Sequence, residues 1–73
     1  MRIHLTAHGP LRQRITQTTY DLPPAATVAD LLTRLGFQQG GVWLIVRDGA
    51  AIERGAELHD GDRLELVPPL TGG

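Results

Sequence analysis

The sequence contains no cysteine and no lysine; its seven basic residues are all arginine. Without thiols, disulfides, thiolate metal sites and cysteine nucleophiles are excluded. The formal net charge is −1 at pH 7, with eight carboxylates, so no basic field invites nucleic acid or a membrane surface. No apolar run approaches membrane-spanning length, and no charged-then-apolar leader opens the chain. A cytoplasmic domain that binds neither nucleic acid nor membrane is the expectation. Seventy-three residues make one small domain, able to bury about 60% of its unfolded surface. That leaves no room for a deep substrate cavity, and points to a binding or carrier module rather than an enzyme.

What is present alternates. In residues 1–8, Met1, Ile3, Leu5 and Ala7 are interleaved with Arg2, His4, Thr6 and His8, the period of a half-buried strand. Gly9 and Pro10 break it. Residues 14–22 are rich in β-branched and aromatic types and read as a second strand, hairpinned to the first. Pro23 and Pro24 stop that pairing. Val28, Leu31, Leu32 and Leu35 then recur at helical spacing. Thr27 can cap this helix, Asp30 completes a near capping box, and Gly36 suits its C-terminal end. Residues 42–47 read as a third strand, closed by the Asp48-Gly49 tight-turn dipeptide. A short strand at 50–52, a plug at Leu58, a turn at Asp60-Gly61-Asp62 and a last strand at 63–67 complete the order. Two hairpins on one amphipathic helix give an α+β, β-grasp (ubiquitin-like) fold: a mixed four- to five-stranded sheet with the first and last strands parallel at its centre. Residues 1–67 form the domain and 68–73 a flexible tail.

Few residues invite chemistry. His4 and His8 are about 13 Å apart on a strand, too far to share an ion, and His59 is solitary, so no metal site is expected. Asp60-Gly61-Asp62 lacks the remaining ligands of a calcium loop. Gly40-Gly41 has no Lys-Ser/Thr to make a phosphate loop, and no spacing suggests an acyl-transfer triad. If Leu44, Val46, Leu64 and Leu66 face the helix, Trp43, Ile45 and Val67 lie on the opposite face as a partner surface. A register shift would instead put Trp43 in the core.

The ending Pro68-Pro69-Leu70-Thr71-Gly72-Gly73 is different. Two prolines without amide donors must end the strand ladder at Val67 and project the chain as a stiff spacer. The six residues from Pro68 reach about 20 Å when extended. Leu70 offers an apolar anchor and Thr71 a hydroxyl, while Gly72 and Gly73 can enter a channel too narrow for any Cβ. Such a tail suits delivery of a terminal carboxylate into another protein's active site. The missing lysines fit a chain that carries an activated C-terminus beside no side-chain amine, although a codon preference for arginine explains them equally well.

The whole chain resembles the MoaD/ThiS group of ubiquitin-like sulfur carriers. The resemblance rests on His8-Gly9-Pro10-Leu11-Arg12, the Thr27-capped helix, the Asp60-Gly61-Asp62 turn and the Pro-Pro-x-x-Gly-Gly ending. It implies that Gly73 is adenylated by an ATP-using enzyme of the ubiquitin-activating type, then converted to a thiocarboxylate that donates sulfur. The carrier itself would bind no cofactor. It also implies that the tail inserts into partners such as the molybdopterin synthase large subunit. The proline pair favours the molybdopterin branch over the thiamine branch. Leu66-Val67 stand where that branch commonly has aromatics, and the segment before the third strand is shorter than usual, so another sulfur-transfer pathway stays open. Two further readings remain: a ubiquitin-like modifier conjugated through Gly73 to lysines of other proteins, and a β-grasp interaction module with an incidental tail.

Overall fold

A computed structural model describes residues 1–37 and 41–69. The elements are β1 (Arg2–Ala7), α1 (Leu11–Arg14), β2 (Thr19–Asp21), α2 (Val28–Leu35), β3 (Leu44–Arg47), β4 (Ala50–Ile52) and β5 (Arg63–Val67). The strands form one sheet in the order β2-β1-β5-β3-β4. β1 and β5 run parallel, with Leu5 opposite Leu64 and Ala7 opposite Leu66. The other pairs are antiparallel. A parallel pair needs a long crossover, which the chain from β2 through α2 to β4 supplies. The fold is the β-grasp, an α+β arrangement.

Local signals place α2 where the sequence does. The Thr27 hydroxyl accepts from Asp30 N–H, and the Asp30 carboxylate accepts from Thr27 N–H at 2.8 Å, a complete capping box. Two further free amides of the first turn, Val28 and Ala29, donate to the carbonyls of Ala56 and Arg54. The loop before Leu58 thus closes the helix start, and Leu58 is buried beneath it. At the other end Gly36 takes a left-handed conformation, φ 88°, which a residue with a Cβ adopts only at a cost.

One core joins the layers. Ile3 and Leu5 of β1, Ile45 of β3 and Leu64 and Leu66 of β5 meet Val28, Leu31 and Leu32 of α2. Among the described residues no polar side chain is buried.

Two expectations need correction. The second strand does not start at residue 14: residues 11–14 form a helical turn, and β2 is confined to Thr19–Asp21. Leu11 and Ile15, four apart, are both buried; a helical turn puts them on one side, whereas a strand of this length would carry Ile15 well away from Leu11. Pro10 precedes the turn with φ −61°, a value proline holds without cost. The second correction concerns β3, which begins at Leu44 rather than residue 42. Its register sets Ile45 opposite Leu66 and Val46 opposite Glu65. Ile45 therefore lies in the core at 3% exposure, and Leu44 and Val46 take the open face. A shift of one residue exchanges every side chain between faces.

Candidate functional site

β5 is the central strand, so whatever follows it leaves the sheet at a fixed place. Val67, its last residue, pairs with Leu44, and its carbonyl accepts from the Trp43 amide at 2.8 Å. On the other side, the His8 amide extends the β1–β5 ladder by donating to Leu66 O at 3.1 Å. Two neighbours thus hold the end of β5. Pro68 is half-buried and Pro69 exposed. With no amide hydrogen on either, the ladder has no donor with which to continue.

Next to this exit the open face of the sheet is apolar. Leu44, Val46 and Val67 are half-buried there, and Trp43 is 55% exposed, the one large hydrophobic side chain so exposed among the described residues. Trp43 has an exposed ring and Val67 a position at the exit, as the partner surface requires. Ile45 does not belong to it, being sealed under α2. Leu44 and Val46 replace it, and the register alone identifies them. The run of apolar residues from 42 to 46 carries no alternation that could have revealed it.

The same face turns polar on β1. His8 Nε2 lies 2.9 Å from Glu65 Oε1, joining β1 to β5 across the sheet surface. At the far pole, Arg2 Nε donates to Asp21 at 3.4 Å and the Arg2 amide to Asp60 Oδ1 at 2.6 Å. These residues, with Met1, His4 and Gly61, line an open concavity. The carboxylates there are engaged by arginine side chain and backbone. This pole lies at the opposite end of β5 from Pro68, about 16 Å away along five strand residues.

His59 lies 3.8 Å from Asp62. Among the described residues no three His, Cys, Asp or Glu side chains gather as a metal site would require, and no helix is long and apolar enough to cross a membrane. Leu70, Thr71, Gly72 and Gly73, to which the sequence assigns the chemistry, lie outside the described residues, as do Gln38, Gln39 and Gly40.

Comparison with known proteins extends this geometry. The chain is similar over its full length to SAMP1, the small archaeal modifier protein 1 of Haloferax volcanii, with 25% identity, a TM-score of 0.77 and 100% of both chains covered. A Pyrococcus furiosus protein assigned as subunit 1 of a molybdopterin converting factor shares the fold at 21% identity and a TM-score of 0.76, covering 94% of this chain and 98% of that one. A third match is to the complex of subunits 1 and 2 of the molybdopterin-converting factor from Helicobacter pylori, with 25% identity, a TM-score of 0.57 and 100% of both chains covered. No protein of curated function matches. The family model of ThiS spans residues 8–73, from the His8 that braces β5 through to the glycine pair, and the chain belongs to the ThiS family of ubiquitin-like proteins.

Proposed function

We propose that this protein carries sulfur on the carboxylate of Gly73. A partner enzyme of the ubiquitin-activating type transfers AMP from ATP to that carboxylate, releasing pyrophosphate. Sulfide attacks the acyl carbon, AMP leaves, and loss of a proton gives a thiocarboxylate. The sulfur then passes to an acceptor, and the carboxylate is regenerated. The chain supplies no acid, base or cofactor to these steps; it presents the reacting group and is recognised.

The observation that carries this reading is the exit of the tail from the central strand beside the apolar face of Leu44, Val46 and Val67, with the exposed Trp43 bonded through its amide to the Val67 carbonyl. A tail tied to the sheet by His8 and Trp43, stiffened by Pro68 and Pro69 and slender at Gly72 and Gly73, suits insertion into another protein's site. Leu44, Val46, Val67 and Trp43 offer the adjoining docking surface. Molybdopterin synthesis is the favoured pathway, with the synthase large subunit as acceptor. Support comes from the proline pair and from the likeness to a subunit 1 that forms a complex with subunit 2.

Deleting Gly72 and Gly73 tests the reading. Sulfur transfer is expected to be lost while the melting temperature stays within about 2 °C, because two glycines have no side chains to pack. Retained transfer would refute the role of the tail.

The likeness to a small archaeal modifier protein favours a second reading, conjugation through Gly73 to lysines of other proteins. That chemistry leaves isopeptide-linked Gly-Gly remnants on cellular proteins, which a pure sulfur donor does not. Without lysine of its own, this chain would not form side-chain-linked polymers.

A further inference from the structure

The tail's direction is set by a contact outside the tail. Gly9 follows the His8 amide that caps the β1–β5 ladder, and it adopts φ +57°, a conformation glycine enters freely. A Cβ at this position would sit 3.2 Å from Cγ of Pro68 and 4.0 Å from its Cδ. The first distance is tighter than ordinary van der Waals contact, so one partner would have to give way. The proline ring is closed onto the backbone nitrogen and can yield only by a change of pucker at Cγ; beyond that, moving the ring moves the stalk.

We propose that Gly9 is a positioning residue for the tail: its bare Cα, seated against the Pro68 ring, fixes the direction in which the reactive end leaves the sheet. The inference rests on the carrier reading above. A ring displaced by a few tenths of an ångström re-aims the chain where it leaves β5. Misplacement of a reacting group by about 1 Å can cost up to about a hundredfold in rate. A partner's channel would recapture part of this, leaving about a tenfold effect.

Gly61 provides the control. It too has a positive φ, +87°, but nothing lies within 4 Å of a Cβ built there, and it sits at the opposite pole. Gly9→Ala and Gly61→Ala should both lower the melting temperature through backbone strain. Only Gly9→Ala should lower kcat/KM for adenylation, about tenfold, measured as pyrophosphate exchange with a ubiquitin-activating-type partner enzyme. In a Pro68→Ala background, which lacks the ring, adding Gly9→Ala should cost nothing further in kcat/KM. Equal kcat/KM for the Gly9 and Gly61 variants, or a Gly9→Ala loss undiminished without the ring, overturns the inference.

NMR reads the contact independently of any enzyme. Cross-peaks between Gly9 Hα and Pro68 Hγ are expected, as are changes in the Pro68 and Pro69 carbon shifts in Gly9→Ala but not in Gly61→Ala. Pro68 and Pro69 shifts that do not move also overturn the inference. A wild-type chain that is never adenylated, while these NMR changes occur, overturns the carrier reading and leaves the Gly9–Pro68 contact standing.

Discussion

Replacing Asp62 by alanine should remove much of the domain's stability and leave its tail chemistry intact. One oxygen, Asp62 Oδ2, accepts from Arg47 Nη1 at 3.0 Å and from the His59 amide at 2.8 Å. The same Arg47 nitrogen donates to the Glu57 carbonyl at 3.0 Å. These bonds tie β3 to the turn that starts β5 and to the loop that closes α2. The two side chains are only 15% and 22% exposed, so water replaces the lost partner poorly. A hydrogen bond to a charged group contributes roughly 1.5–3 kcal/mol, and the amide bond of an exposed turn somewhat less. Allowing for partial access of water to Arg47, the loss is about 2–3 kcal/mol. For a domain of this size that corresponds to a fall in melting temperature of roughly 10–20 °C. Asp62→Asn keeps an acceptor for His59 and should cost about half as much. Thermal and urea unfolding, followed by far-UV circular dichroism, measure both variants. A double-mutant cycle with Arg47→Met should give a coupling of about 1–2 kcal/mol. An Asp62→Ala variant within about 0.5 kcal/mol of wild type would refute the reasoning. Loss of adenylation at a temperature where the variant is folded would show that the two poles are not independent.

Thr27→Ala removes the hydroxyl half of the α2 capping box and should cost about 1 kcal/mol in urea unfolding. Ala25 has φ 67°, strained for a residue with a Cβ, and its side chain is exposed. Ala25→Gly should therefore stabilise the fold by roughly 0.5 kcal/mol, once the greater freedom of glycine in the unfolded chain is subtracted. Trp43→Ala is expected to change stability by under about 1 kcal/mol, because the ring is 55% exposed. It should nevertheless weaken binding to the sulfur-accepting partner at least tenfold, as a central aromatic anchor would, measurable by calorimetry.

The parts of the fold legible in the sequence are those whose signals are local. Thr27, Asp30 and Gly36 each announce an end of α2, and Leu64 and Leu66 alternate cleanly through β5. Asp48 and Gly49 both take positive φ in the turn between β3 and β4, as that dipeptide favours. What was not legible depends on distant partners. Residues 14–18 have strand-like composition, yet Leu11 and Ile15 gain more by entering the core from a helical turn. The apolar run 42–46 fits either face equally well, and only its pairing with β5 decides that Ile45 points inward. The Gly9–Pro68 contact joins positions far apart in sequence and has no local signature at all.

The most direct test of sulfur carriage is the intact mass of the chain after co-expression with a ubiquitin-activating-type enzyme and a sulfur source. Exchange of one oxygen for sulfur adds about 16 Da to a chain of 7.9 kDa. The account predicts that increment, localised by fragmentation to Gly73 and absent when Gly72 and Gly73 are deleted. A wild-type mass that never shifts, or a shift that persists without the two glycines, would contradict it.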